Sequence, residues 1–329
     1  MPKPAIAIAR AIFPQVVQRL QIHFDVRTNQ DDTPMSSAEL AAFLRGRVGL
    51  LCTGGERVDA ALLQVCPDLR ICANMAVGYN NFDLDAMTQA GVLATNTPDV
   101  LTETTADFGF ALLMAAARRL VESEHFLRAG HWHRWSYDMF AGQDIHGSTL
   151  GIIGMGRIGQ GIARRGALGF GMRVIYHNRS RLDPATEAAC RASYVSKQEL
   201  LQNADHVVLV VPYSAASHHT IGAAELASMK PTAVLVNIAR GGIVDDVALA
   251  QALREGRIAA AGLDVFEGEP KVHPALLALP NVVLTPHIAS ASVPTRLAMA
   301  QLAADNLIDY LVHGHPRTAL NAPQMGLHG

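Results

Sequence analysis

Two groups of residues in this chain carry the types and spacing that chemistry needs. The first is the stretch Gly154-Met155-Gly156-Arg157-Ile158-Gly159, which follows the apolar run Thr149 to Ile153 and precedes the helix-like segment Gln160 to Leu168. A short strand, a G-x-G-x-x-G turn and a helix together seat a dinucleotide pyrophosphate on a helix N-terminus. The first glycine permits the turn, the second lets the backbone approach the phosphates, and the third lets helix and strand pack closely. The second group is dispersed: Arg240 after Val234 to Ile238, Glu269 after Asp264 to Gly268, and His287 after Thr285-Pro286. Each has an ordinary reading as a surface cation, a loop carboxylate or a loop histidine. Their placement after apolar runs makes them candidates, because ligands of open α/β sheets bind outside the carboxyl ends of the strands.

The next strand reads out which dinucleotide fits. Folds selective for NAD place an Asp or Glu about twenty residues past the glycines, where it binds the adenosine ribose hydroxyls. Here that strand ends Tyr176-His177-Asn178-Arg179-Ser180-Arg181. Asn178 stands where the acid is expected, while Arg179, Ser180 and Arg181 offer two guanidinium groups and a hydroxyl suited to a 2′-phosphate. The pattern predicts NADPH (NADP) as the preferred cofactor, with NADH possible. A solvated basic loop is the plainer alternative.

The elements around these residues alternate. Before the glycine motif, the short apolar runs Ala5 to Ala9, Val48 to Leu51, Leu69 to Ala73 and Val92 to Ala94 are separated by helix-like segments. That alternation predicts a separate parallel-sheet α/β domain. Thr97-Pro98-Asp99 interrupts it, and one long helix is expected from about Thr102 to Ala129, ended by Gly130. After the motif the candidate strands are Arg173 to Tyr176, His206 to Val211, Ala233 to Ile238, Ala259 to Val265 and Asn281 to Leu284. With Thr149 to Ile153 these make six, the number a doubly wound dinucleotide fold needs. An amphipathic segment from Thr295 to Leu311 could return the chain to the first domain.

Composition narrows the class. With 27 basic and 29 acidic residues among 329 and a net charge of −2, nothing points to nucleic acid or to an anionic membrane. No run is long enough for a signal-peptide core or a membrane span, which predicts a cytoplasmic protein. The four cysteines, Cys52, Cys66, Cys72 and Cys190, form no C-x-x-C pair and are expected as reduced thiols. His131 and His133 lack a carboxylate or cysteine at ligand spacing, so no metal is expected there or in the chemistry.

Taken together, the motifs resemble those of the D-isomer-specific 2-hydroxyacid dehydrogenases, in particular the NADPH-dependent glyoxylate/hydroxypyruvate reductases, a group that includes 2-ketogluconate reductases. The resemblance runs along nearly the whole chain. It rests on Val77 to Asp83, Gly154 to Gly159, Asn237-Ile238-Ala239-Arg240-Gly241, Gly262 to Pro270, and Thr285-Pro286-His287-Ile288-Ala289-Ser290. It implies two Rossmann-like domains: a doubly wound parallel-sheet cofactor domain at 101–287, and a flavodoxin-like substrate domain at 1–100 and 288–329. It further implies reduction of a small 2-oxo acid to the D-2-hydroxy acid. In that scheme His287 is the proton donor, Glu269 favours the imidazolium, and Arg240 binds the substrate carboxylate.

By the same resemblance Val77 and Gly78 present backbone N–H groups to the substrate. Arg157, Ile158, Ser180, Pro212, Ser217, Ile238, Ala239, Asp264 and Ala289 match positions that touch the cofactor, although Asp264 also has a structural reading at a strand end. Met139-Phe140 matches a loop that reaches a neighbouring subunit, which implies a homodimer. One binding-class alternative keeps the same three polar residues: a corepressor-like dehydrogenase fold that senses NAD(P)H with little turnover.

Overall fold

The computed structural model describes residues 2–326; Met1 and residues 327–329, at the outer ends of the expected substrate-domain segments, lie outside the described residues. The chain divides into two compact units, Met1–Leu101 with Ala291–Gly329, and Thr102–Ser290. Each unit holds one sheet.

In the first unit the strands are β1 (Ala5–Ile8), β2 (Asp25–Thr28), β3 (Gly49–Cys52), β4 (Ile71–Asn74) and β5 (Leu93–Thr95). They run parallel in the order β2-β1-β3-β4-β5, the flavodoxin-like order. Both faces of the inner strands are covered, so β3 and β4 are buried along their whole length and are apolar up to Asn74 at the end of β4. The helix Val293–Ile308 packs on β3 and β4. It comes close enough that a Cβ on Gly49 would lie 3.1 Å from Leu307.

The second unit contains β6 (Thr149–Ile153), β7 (Arg173–His177), β8 (Ala192–Tyr194), β9 (His206–Leu209), β10 (Val234–Asn237), β11 (Ala260–Leu263) and β12 (Val282–Leu284). All are parallel, in the order β12-β11-β10-β9-β6-β7-β8. Strand order reverses between β6 and β9, the topological switch point at which such sheets bind ligands. The turn that leaves β6 there is the Gly154–Gly159 stretch.

Three expectations need correction. The second sheet has seven strands rather than six, because β8 was not foreseen; β2 in the first sheet was missed as well. Both are edge strands. Asp25-Val26-Arg27-Thr28 and Ala192-Ser193-Tyr194 are only partly covered and lack the continuous apolar run that marked the inner strands. The long helix is two helices, Thr102–Ala117 and Leu120–Arg128. Arg119 sits in the left-handed region at φ 52°, and the Ala117 carbonyl accepts a hydrogen bond from the Gln143 N–H at 2.9 Å instead of continuing the helical ladder. All four cysteines are buried and unbridged. Among the described residues, no helix is long and apolar enough to cross a membrane.

Candidate active site

The glycine turn is built by close contact. Gly154 has φ +103°, and a Cβ there would lie 2.7 Å from the Val210 carbonyl carbon. A Cβ on Gly159 would lie 2.4 Å from the Gly154 oxygen, so the helix Arg157–Arg164 can leave β6 this tightly only with glycine at that position. Gly156, the helix N-cap, differs: it is exposed, and a Cβ on it would meet nothing within 4 Å. Open space above a helix N-terminus with its first N–H groups is what a pyrophosphate requires. The residues therefore fit a dinucleotide. Arg157 is exposed and Ile158 half-buried in the first helical turn.

At the end of β7, the Asn178 Oδ1 accepts the Met155 N–H at 2.7 Å, which joins this strand end to the glycine turn. Arg179 and Ser180 are exposed next to it. Arg181 is otherwise engaged: its Nε and Nη2 donate to Glu187 at 2.9 and 2.8 Å, and Glu187 also accepts the Tyr176 hydroxyl at 2.6 Å. Of the two guanidinium groups expected to meet a 2′-phosphate, the one on Arg181 is thus held by a buried carboxylate. Across the switch point, Pro212 and Ser217 lie in one loop, where the Ser217 hydroxyl donates to the Pro212 carbonyl at 3.0 Å. Ile238 and Ala239 are buried at the end of β10.

The three dispersed polar residues lie on loops at the carboxyl ends of β10, β11 and β12. His287 Nδ1 is 2.8 Å from Glu269 Oε2. The other Glu269 oxygen accepts the Phe266 N–H at 2.9 Å. Burial works to raise the Glu269 carboxyl, but the hydrogen bonds from His287 and Phe266 and the charge of Arg240 outweigh it and hold the group below the ordinary carboxylate range. Burial pushes the Arg240 guanidinium down from its ordinary value, against the pull of Glu269. Its Nη1 donates to the Ala239 carbonyl at 2.7 Å. A Cβ on Gly241 would overlap the Phe266 oxygen at 1.7 Å, so only glycine fits there. The Arg240 loop and the Glu269 loop are in backbone contact there.

His287 has φ 54°, a costly conformation for a histidine. Asp264 explains how it is held. The Asp264 carboxylate is fully buried and accepts the Thr285 hydroxyl at 2.7 Å, the Ile288 N–H at 2.8 Å and the Ala289 N–H at 2.9 Å. The His287 N–H donates to the Asp264 carbonyl at 2.9 Å. Asp264 and Ala289, expected at the cofactor, are therefore partners in the turn that carries His287. Spacing had no means of revealing this role, because the contact spans more than twenty residues. A cavity of about 360 Å³ opens beside Glu269 and His287, walled by Phe266, Pro270, Leu284 and Pro286.

Val77 and Gly78 belong to the first unit. Their carbonyls accept from Asn96 at 2.8 Å and from Asn74 at 3.0 Å. In a trans peptide the N–H points opposite the carbonyl, so these two amides direct the Gly78 and Tyr79 N–H groups the other way.

Comparison with known proteins agrees with this architecture. Residues 110–289 match the family model for the D-isomer specific 2-hydroxyacid dehydrogenase NAD binding domain. The chain is 48% identical over 323 residues to a glyoxylate reductase of Thermococcus onnurineus, an alignment covering 97% of this chain and 96% of that one. To a glyoxylate reductase of Aeropyrum pernix it is 45% identical, covering 98% and 97%. Among solved structures, an NADPH-dependent glyoxylate/hydroxypyruvate reductase of Sinorhizobium meliloti, in complex with NADP and malonate, superposes with a TM-score of 0.86 at 35% identity, covering 99% of each chain. This chain belongs to the D-isomer-specific 2-hydroxyacid dehydrogenase family.

Proposed function

We propose that the protein reduces a small 2-oxo acid to the D-2-hydroxy acid with NADPH, glyoxylate and hydroxypyruvate being the first substrates to consider and 2-ketogluconate a larger one. The observation that carries this reading is the His287–Glu269 contact at 2.8 Å, made in the same unit as the glycine turn and beside the charge of Arg240. When bound, the dinucleotide supplies the hydride that attacks the 2-carbonyl carbon.

The protein's own groups do the rest. Negative charge grows on the carbonyl oxygen and must be neutralised. With Nδ1 engaged by Glu269, the His287 Nε2 is the nitrogen that gives the oxygen its proton. Glu269, ionised and tied to the Phe266 N–H, fixes the ring. Arg240 binds the substrate carboxylate through its planar fork and so orients the carbon that is reduced.

The preference for NADPH rests on Asn178, Arg179 and Ser180 at the end of β7, and the named NADP complex of the Sinorhizobium meliloti relative supports it. A homodimer is the assembly that fits the family reading. The exposed Trp132, Trp135 and Tyr137 support it, and sedimentation would test it.

Initial rates with NADPH and NADH against glyoxylate, hydroxypyruvate, pyruvate and 2-ketogluconate test the proposal. Turnover of glyoxylate or hydroxypyruvate with NADPH is expected. No turnover across the panel, with NADPH still bound, would favour the sensing alternative.

A further inference from the structure

Beyond the hydride-transfer site, the fold brings together His218, His219 and Glu267, which lie in two loops far apart in sequence. One ligand atom of each falls within 4.8 Å of the others. His219 Nε2 is 3.1 Å from Glu267 Oε2. The edge of a tetrahedron with zinc–ligand arms of about 2.0–2.1 Å is about 3.3 Å, so this pair already stands near the separation that two ligands of one ion adopt. The His218 ring stacks on His219, with centroids 3.8 Å apart and planes at 22°, so the exposed His218 ring must turn about its side-chain bonds for both imidazoles to point at one ion.

The surroundings resemble a support for such ligands. Tyr213 OH lies 3.3 Å from His218 Nδ1, leaving the Nε2 of that ring for an ion. Asp245 Oδ2 lies 3.9 Å from His219 Nδ1, on the side where a ligating histidine commonly meets a carboxylate. His218 and Glu267 are exposed, which leaves an entry path and room for water as a further ligand.

We propose that His218, His219 and Glu267 form a binding site for a borderline divalent transition-metal ion such as Zn²⁺. Imidazole with carboxylate is a donor set suited to zinc, copper or nickel rather than to magnesium or calcium. The ion ties the loop after β9 to the turn after β11, two residues before Glu269. No step of the hydride transfer runs through it.

The test is titration of the chelator-treated full-length protein with Zn²⁺ alone, followed by competition with a chromophoric chelator. The wild type is expected to bind one equivalent at micromolar or lower concentration, and His218→Ala and Glu267→Gln are each expected to weaken that equivalent at least ten-fold. X-ray absorption of the one-equivalent complex is expected to show two imidazole ligands, a readout independent of how the variants fold. Absence of micromolar binding, binding by His218→Ala as tight as wild type, or fewer than two imidazoles at the ion would each overturn the proposal.

Discussion

His287 Nδ1 and Glu269 Oε2 stand 2.8 Å apart, and the Glu269 carboxyl is held below its ordinary range, so the imidazole faces an anion throughout the neutral pH range. Replacing that anion with a neutral group of the same shape separates charge from position. Glu269→Gln retains an oxygen able to accept the Nδ1–H but leaves a protonated ring without its partner. Reduction of the 2-oxo acid is expected to fall about ten-fold or more near pH 8 and less near pH 6. A uniform loss at every pH would assign Glu269 a purely positional role.

Asn178 offers a second test, because its Oδ1 already accepts the Met155 N–H at 2.7 Å. Asn178→Asp keeps that acceptor and the joint to the glycine turn while adding the negative charge that repels a 2′-phosphate. Combined with Arg179→Ala, it removes the exposed cation as well. The ratio of kcat/KM for NADPH over NADH is expected to drop by at least ten-fold, about 1.4 kcal/mol, with thermal stability little changed. An unchanged ratio would remove the β7 end from cofactor selection.

How far the sequence speaks depends on where an element lies in its sheet. Inner strands such as β4, β9 and β10 are buried on both faces and each carries three consecutive apolar residues, so they were legible. β2 and β8 sit at edges and were not. Arg240, Glu269 and His287 stood out as candidates because they follow apolar runs, where ligands meet open sheets, and the roles proposed for them rest on the family resemblance. What stayed hidden were contacts that only folding makes: Glu187 holding Arg181, Asp264 holding the His287 turn, and His219 meeting Glu267. In each case a polar side chain with a plausible surface or cofactor role is bound by a partner from another loop or helix. Composition and periodicity carry no signal for such a pair.

The glycines of the turn should separate in their effects. Gly156→Ala places a methyl in open space on a backbone at φ −77°, which any residue adopts, so the melting temperature is expected to remain within a few degrees of wild type. The methyl instead occupies the approach of the phosphates, and dinucleotide affinity is expected to fall at least ten-fold. Gly159→Ala must displace the Gly154 carbonyl, 2.4 Å from the new Cβ, and is expected to cost about 1–3 kcal/mol of stability as well as affinity. Denaturant unfolding and fluorescence titration with NADPH distinguish the two. If Gly156→Ala bound the dinucleotide as well as wild type, the open N-terminus would not be the phosphate seat.

In the first unit, Asp32 makes a prediction about acid stability that is independent of the active site. Its carboxylate accepts Arg10 Nε at 2.7 Å, Arg10 Nη2 at 3.0 Å and the Ala11 N–H at 3.0 Å. These contacts, the Arg10 hydrogen bonds foremost, lower its pKa to about 2. A carboxyl whose folded value is depressed adds stability above its unfolded value near 4 and loses it as pH falls through the folded value. The window is therefore about pH 4 down to about pH 2. Because the side chain is 49% exposed, solvent screening keeps the contribution below about 1 kcal/mol. Asp32→Asn is the suitable probe, since asparagine tolerates the φ of 54° found here and retains one acceptor oxygen. Urea unfolding at pH 6 should show the variant less stable than wild type, and the difference should shrink toward zero by pH 2. A difference that stayed constant across that range would mean that the ionised Asp32–Arg10 contact contributes nothing to folding.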